Sequence, residues 1–253
     1  MEGNHGDHSD LWQTYTTSSG SRFENCVFRY NIVSNSNMSA IFQFSNQHDS
    51  PRFTNFDVYG NVFVDSKNQM NIYIDSVGIY NNTFIDNKSH SPGIRFTSSE
   101  PSHGTATNGE IYNNLLLLLG GGETGSGGLA SRTGASYDYN IFTEEDDTGF
   151  TSYTPGPNSV NGGYTVAQLV TDYANGDYTP VSSSVADHGN GTNLSSIFSV
   201  DMDGNAYDQT GWVIGAFAAS GGTPTAPSAP SALAATTASA SQVNLSWTDN
   251  ASD

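Results

Sequence analysis

Basic residues are what this chain has least of: seven lysines and arginines stand against 25 aspartates and glutamates, a formal net charge of −18. A surface this acidic repels nucleic acid and anionic membranes, which excludes both as partners. Cysteine is almost missing. The single Cys26 rules out an internal disulfide framework and suits a small, buried apolar position. Long hydrophobic runs are absent too: Leu115 to Leu119 is a run of five that stops at Gly120-Gly121-Gly122, far short of a membrane span. No secretion signal is visible at the N-terminus, and the repeat pattern described next starts midway, so the chain reads as part of a longer protein. There is no Gly-x-Ser-x-Gly elbow, Walker loop or Cys-x-x-Cys pair, which removes support for esterase, nucleotide-binding and zinc-finger functions.

What is present is repetition. Five short hydrophobic runs carry an asparagine at the same place: Phe28 to Val33 around Asn31, Val58 to Phe63 around Asn61, Ile79 to Phe84 around Asn82, Ile111 to Leu116 around Asn114, and Tyr137 to Phe142 around Asn140. The asparagines are 30, 21, 32 and 26 residues apart, a recurrence that predicts a solenoid with loops of unequal length. With 27 glycines and short Ile/Val/Phe/Tyr runs bounded by Gly, Asn and Ser, the chain reads as all-β. One helix is expected, with Val166, Leu169, Val170 and Tyr173 on one face, Thr165 as its cap and Gly176 as its stop.

A second strand follows each asparagine run: Ile41 to Phe44, Ile72 to Asp75, Ile94 to Thr97 and Leu129 to Arg132, preceded by Leu11 to Thr14. Strand alternation then predicts an inward column Leu11, Ile41, Ile72, Ile94, Leu129, with Gln13, Gln43, Ile74, Phe96 and Ser131 on the same side. The outward columns become Trp12, Phe42, Tyr73, Arg95 and Thr14, Phe44, Asp75, Thr97, Arg132. Like residues stacked from coil to coil bury aliphatic surface inside, and a stack of asparagines can pass amide hydrogen bonds along the turns.

The Ile-Tyr-Asn-Asn-x-Phe runs resemble those of right-handed parallel β-helix proteins of the pectate-lyase-like class, over roughly residues 4 to 142. Val185-Ala-Asp187-His-Gly189, Asp201-Met-Asp203-Gly-Asn205 and Val213 to Phe217 resemble the C-terminal ending of bacterial extracellular β-helix proteins, lacking that ending's proline and terminal acid. Pro227 to Leu233 and Val243 to Trp247 resemble the opening strands of a fibronectin type III module. The resemblance implies a β-helix with a C-terminal cap over 1–218, a linker over 219–229 and an incomplete fibronectin type III segment over 230–253. Two strands cannot bury a sandwich core, so disorder is expected there, with nothing for Trp247 to pack against.

His8-x-Asp10-x-x-Gln13 resembles an element of bacterial β-helix proteins that act on polysaccharides. An imidazole held by a carboxylate can serve as a base near neutral pH, or join His5 and Asp7 on a metal; the plainer alternative is a polar turn. The row Trp12, Phe42, Tyr73 offers flat rings to sugar faces, while Arg95 and Arg132 can pair with uronate carboxylates. The plainer alternative for these aromatics is burial beneath loops such as 101–108. Asp201, Asp203, Asn205 and Asp208 place oxygens at the alternate positions of a Ca²⁺ loop, although Asp-Gly-Asn is also an ordinary turn. Glu144 to Asp147 reads as a solvated loop, and the aspartate cluster of β-helix polygalacturonases is not visible.

The expectation is a secreted or cell-surface monomer that binds an acidic extracellular polysaccharide and cleaves it by β-elimination. His8, oriented by Asp10, would be the base. Arg95, or calcium near Asp75, would neutralise the uronate, and Trp12, Phe42, Tyr73 and Arg132 would hold the polymer. The alternatives are a non-catalytic adhesin or surface-matrix protein using the same sheet, and a purely structural solenoid.

Overall fold

The computed structural model describes residues 10–16, 23–34, 40–46, 53–64, 69–73, 75–85, 94–96, 108–117, 135–142, 156–161, 163–181, 189–218 and 231–248. Strands recur in triplets. The first is β1 (Asp10–Thr16), β2 (Phe23–Arg29) and β3 (Ile32–Ser34); the second is β4 (Ala40–Asn46), β5 (Phe53–Tyr59) and β6 (Val62–Val64). Next come β7 (Gln69–Tyr73), β8 (Asp75–Tyr80) and β9 (Thr83–Ile85), then β10 (Ile94–Phe96), β11 (Gly109–Tyr112) and β12 (Leu115–Leu117). β13 (Ala135–Asp138), β14 (Ile141–Phe142) and β15 (Val160–Asn161) complete the series. Strands of equal rank pair in parallel, in the orders β1-β4-β7-β10, β2-β5-β8-β11-β13 and β3-β6-β9-β12-β14-β15. The expected all-β class is the observed one.

The recurrent asparagine run explains why second- and third-sheet strands follow each other so closely. Each second-sheet strand is followed at once by a left-handed residue: Tyr30 (φ 60°), Gly60 (63°), Asn81 (47°), Asn113 (60°) and Tyr139 (57°). At Gly60 a Cβ would come within 2.7 Å of the Tyr30 ring, so glycine suits that turn for space, while Tyr and Asn hold the same dihedral at the equivalent positions. The next residue is always the repeated asparagine. Asn61, Asn82, Asn114 and Asn140 are each 0% exposed. Asn82 Oδ1 accepts the backbone N–H of Asn61 at 3.1 Å and its side-chain amide at 3.0 Å, and Asn82 repeats both donations to Asn114 Oδ1 at 3.0 Å. Asn31 donates likewise to Asn61, and Asn114 to Asn140. The expected amide ladder from repeat to repeat is present, and it satisfies backbone groups that the turn leaves without a strand partner.

Apolar columns lie alongside this ladder. Phe28, Val58, Ile79 and Ile111 are in register through the second sheet, and Val33, Phe63, Phe84 and Leu116 through the third. Phe63 and Phe84 stack at 4.9 Å between ring centroids.

The first sheet departs from the expected register. Trp12 pairs with Phe42, but Phe42 pairs with Met70 and Met70 with Ile94. Thr14, Phe44, Ile72 and Phe96 form the column two residues on, and Gln13, Gln43, Asn71 and Arg95 the one between. Ile72 therefore lies against Phe44 rather than Ile41, and the predicted row Trp12, Phe42, Tyr73, Arg95 does not exist as a column. A register irregularity between Ala40 and Phe42 contributes, and an odd shift exchanges the two faces of a strand. Asp75 moves to another sheet: it opens β8 against Thr54, because only Ile74 separates β7 from β8 in the shortest repeat. Leu129 to Arg132 lies outside the described residues.

The expected helix is shorter than the pattern implied. α1 spans only Val166–Leu169, with Thr165 at its N-cap donating its N–H to Gln168 Oε1 at 2.8 Å. Val170–Asp172 (β16) then turns extended and pairs antiparallel with Asp177–Pro180 (β17), because the apolar run is continued by a hairpin through left-handed Gly176.

Residues 189–218 run along the row of left-handed turns. Thr192 contacts Asn113, Trp212 Nε1 donates to Asn81 Oδ1 at 3.0 Å, Phe198 stacks on Tyr59 at 4.5 Å, and Val200 O accepts from Tyr30 at 2.6 Å. An aromatic cluster of Tyr59, Tyr80, Phe198, Tyr207 and Trp212 forms beneath.

Residues 223–253 are a separate unit. In it β18 (Ser231–Ser239) and β19 (Gln242–Thr248) pair antiparallel, so an ordered hairpin replaces the disorder expected there. Trp247 is 59% exposed, as a lone hairpin requires.

Candidate functional site

Polar residues gather on the strands in two places. In the first sheet the column Gln13, Gln43, Asn71, Arg95 runs across four strands, with Tyr15, Ser45 and Tyr73 in register two residues further along. Residues of amide, hydroxyl and guanidinium type thus hold neighbouring register positions on strands about 4.8 Å apart. Asp10 starts β1 and Arg95 belongs to β10, the opposite edge of the described sheet. Three strand spacings, about 14 Å, lie between those strands, too far for both residues to act on one sugar ring. His8, His5, Asp7 and Arg132 lie outside the described residues. Trp12, Phe42, Tyr73, Asp75 and Arg95 are placed by register only.

The second sheet carries a groove of about 260 Å³ whose lining includes Asn55, Asp57, Ser76, Gly78, Tyr80 and Glu110. Asp57, Gly78 and Glu110 are registered side by side, so a glycine separates two acids. A Cβ on Gly78 would collide with the Tyr80 ring and the Asp57 carboxylate, so the missing side chain makes room for both. Tyr80 donates its hydroxyl to Glu110 Oε2 at 2.6 Å. Burial, then this hydrogen bond and the charge of Glu110, push the Tyr80 phenol far above its ordinary range. Burial, followed by repulsion from Glu110, raises the Asp57 carboxyl. Beside the groove, Asn25, Asn55, Ser76 and Asn108 are left-handed at φ 54–59°, and Asn55 donates to Asn25 Oδ1 at 2.6 Å. Sequence reasoning missed this groove. Its signal was position: Asp57, Gly78 and Glu110 each stand four residues before a ladder asparagine.

The calcium-loop residues make a turn. Asp201, 2% exposed, accepts the N–H groups of Asp203 and Asn205 on Oδ1 at 2.9 and 2.8 Å. Its Oδ2 accepts from the Asn205 amide at 3.2 Å and from Ala218 N–H at 3.0 Å, tying the lateral segment closed. Asp208 faces Thr210, whose N–H and hydroxyl hold its carboxyl below the ordinary range. Among the described residues no group of three or more His, Cys, Asp or Glu side chains is placed to hold a metal ion together. No helix among them is long and apolar enough to cross a membrane.

The chain matches no protein-family model, no curated protein and no solved structure.

Proposed function

We propose that this protein is a parallel β-helix solenoid that works outside the cell as a polysaccharide-binding protein, with uronate-bearing polymers as its preferred ligands. The cyclic visit of successive strands to three parallel sheets supports the solenoid. The observation that carries the function is the first-sheet column Gln13, Gln43, Asn71, Arg95. A polymer laid across the strands meets an amide at three successive steps and a guanidinium at the fourth. Amides donate to and accept from sugar hydroxyls, and a guanidinium pairs with a carboxylate in two parallel hydrogen bonds. The apolar columns Trp12, Phe42, Met70, Ile94 and Thr14, Phe44, Ile72, Phe96 match in kind the buried columns of the other two sheets, which leaves the polar column as the ligand face. The ligand-holding role first read for Trp12 and Phe42 thereby passes to Gln13 and Gln43. The acidic groove of the second sheet repels polyanions, so uronates are drawn to the Arg95 face alone.

The spacing of Asp10 and Arg95 favours binding over cleavage at a single ring. Isothermal titration with polygalacturonate, alginate and a neutral glucan tests this. Arg95→Ala weakens uronate binding about tenfold, the worth of one charge-assisted pair, and leaves glucan binding unchanged. Gln43→Ala weakens both. Absence of binding to all three polymers, or indifference to both substitutions, would remove the proposal. Product absorbance from unsaturated uronate in the same mixtures would instead show elimination.

A further inference from the structure

The segment 189–218 engages the side chains of two successive left-handed turns. Asn81 accepts from Trp212 and donates to Val213 O at 2.7 Å and Gly215 O at 2.8 Å. Asn113 accepts the Thr192 N–H at 2.9 Å and donates to Thr192 O at 2.8 Å. The next turn carries a tyrosine instead. Tyr139 is half-buried, and a cavity of about 510 Å³ opens beside it, lined also by Pro157, Asn158, Ser159, Val160 and Asn190. The wall of this cavity is held in place. Asp138 accepts the backbone N–H groups of Tyr139 and Asn158, each at 2.8 Å, and the Asn158 side-chain amide at 2.7 Å. Ser159 donates its N–H to Gly156 O at 2.9 Å, closing a turn through Pro157. A Cβ on Gly156 would collide with Tyr137 O, so that turn lies directly against β13. Among the described residues the Tyr139 hydroxyl, Asn158 Oδ1 and the exposed side-chain amide of Asn190 have no partner, whereas the equivalent groups of Asn81 and Asn113 are engaged.

We propose that this cavity binds an uncharged sugar unit, with Tyr139 as the ring on which the sugar lies and Asn158 and Asn190 as partners of its hydroxyls. The lining offers one flat ring, two primary amides and a serine hydroxyl, and no charged side chain. Such a set suits a ligand with an apolar face and a rim of groups that both donate and accept hydrogen bonds, as sugar hydroxyls do. The volume falls within the range of about 300–1,000 Å³ typical of small-ligand sites. Asp138, behind the turn, and the chain's net charge of −18 disfavour an anionic ligand. A cation finds no carboxylate in the lining. The site shares no residue with the first-sheet column and differs from it in preference, taking a neutral unit where Arg95 favours a uronate.

Amide-resolved NMR of the 253-residue protein with maltotriose, cellotriose and mannotriose tests the site. At least one of these shifts the amides of Asn158, Ser159 and Asn190 saturably, and trigalacturonate does not. Tyr139→Asn removes the ring but keeps a residue type that holds the same left-handed turn at Asn81 and Asn113, and it weakens binding about tenfold or more. Asn190→Ala, at an exposed position, weakens binding about fivefold, the worth of one hydrogen bond, and decides the matter alone if Tyr139→Asn does not fold. Gln43→Ala, aimed at the first-sheet column, leaves these shifts as they are, so loss of uronate binding and loss of this site are read separately. The absence of a saturable shift with all three trisaccharides overturns the proposal, and so does binding undiminished in Tyr139→Asn or Asn190→Ala. Adenosine serves as the competing flat ligand: if it alone shifts those amides, the cavity is a nucleoside site and the sugar assignment falls.

Discussion

Removing one rung of the asparagine ladder should cost far more in its middle than at its open end. Asn82 is fully buried and makes four side-chain hydrogen bonds: donations to Val58 O at 2.9 Å and Asn114 Oδ1 at 3.0 Å, and acceptances from Asn61 N at 3.1 Å and Asn61 Nδ2 at 3.0 Å. Asn82→Ala leaves the Asn61 N–H without its acceptor in a site closed to water. An orphaned buried donor costs about 1–3 kcal/mol, and the unfilled volume adds to it, so the expected loss is about 3 kcal/mol. Asn31 is half-buried and donates to Arg29 O at 2.8 Å and Asn61 Oδ1 at 3.0 Å. Water replaces both in Asn31→Ala, which should cost about 1 kcal/mol. Asn82→Asp keeps the shape but loses both donations and sets a carboxylate against two acceptors. It should be at least as damaging near neutral pH, with partial recovery in acid as a protonated carboxyl donates again. Urea unfolding followed by tryptophan fluorescence measures all three. Equal losses for Asn31→Ala and Asn82→Ala, or a loss below about 1 kcal/mol for Asn82→Ala, would refute the ladder as a structural element rather than a by-product of the turn.

Three further outcomes are expected. Phe198→Ala removes the ring that stacks on Tyr59 and meets Tyr207 and Trp212 edge-on, which should cost about 3 kcal/mol and make 189–218 the first site of proteolysis. Tyr30 is held up to about 12 by burial and by Tyr59, so the unfolded chain ionises first; stability should be level below about pH 10 and fall from there towards about pH 12, less steeply in Tyr30→Phe. Asp57, raised by burial and Glu110, binds its proton more tightly folded than unfolded, so stability falls as pH rises past the ordinary carboxylate range. Asp57→Asn should therefore raise Tm near neutral pH and leave it unchanged in strong acid, and a lowered Tm near neutral pH would contradict this.

Legibility in this chain followed distance from the asparagines. The strands and turns flanking Asn31, Asn61, Asn82, Asn114 and Asn140 were readable, because one side chain on one left-handed turn fixes the register of the strands beside it. The first sheet is joined to that turn by loops of unequal length, so its register had to be inferred by matching apolar residues. Ile72 matches Ile41 as well as it matches Phe44, and pattern alone cannot choose between them. The short repeat decided the matter physically: with only Ile74 between β7 and β8, Asp75 had no room to finish a first-sheet strand. The lateral segment was hidden for another reason. Asn81 and Asn113 precede ladder asparagines, and the sequence showed them only as doubled Asn-Asn pairs. The left-handed turn directs the first of each pair away from the ladder, where Trp212 and Thr192 meet them. The same rule makes the Asp57, Gly78, Glu110 groove a position that sequence could have named, since it keeps a fixed offset from the ladder. Residues at fixed offset inherit their geometry from the turn; those beyond a variable loop acquire it only from strand pairing, which is why the Gln13, Gln43, Asn71, Arg95 column of the first sheet follows register rather than residue pattern.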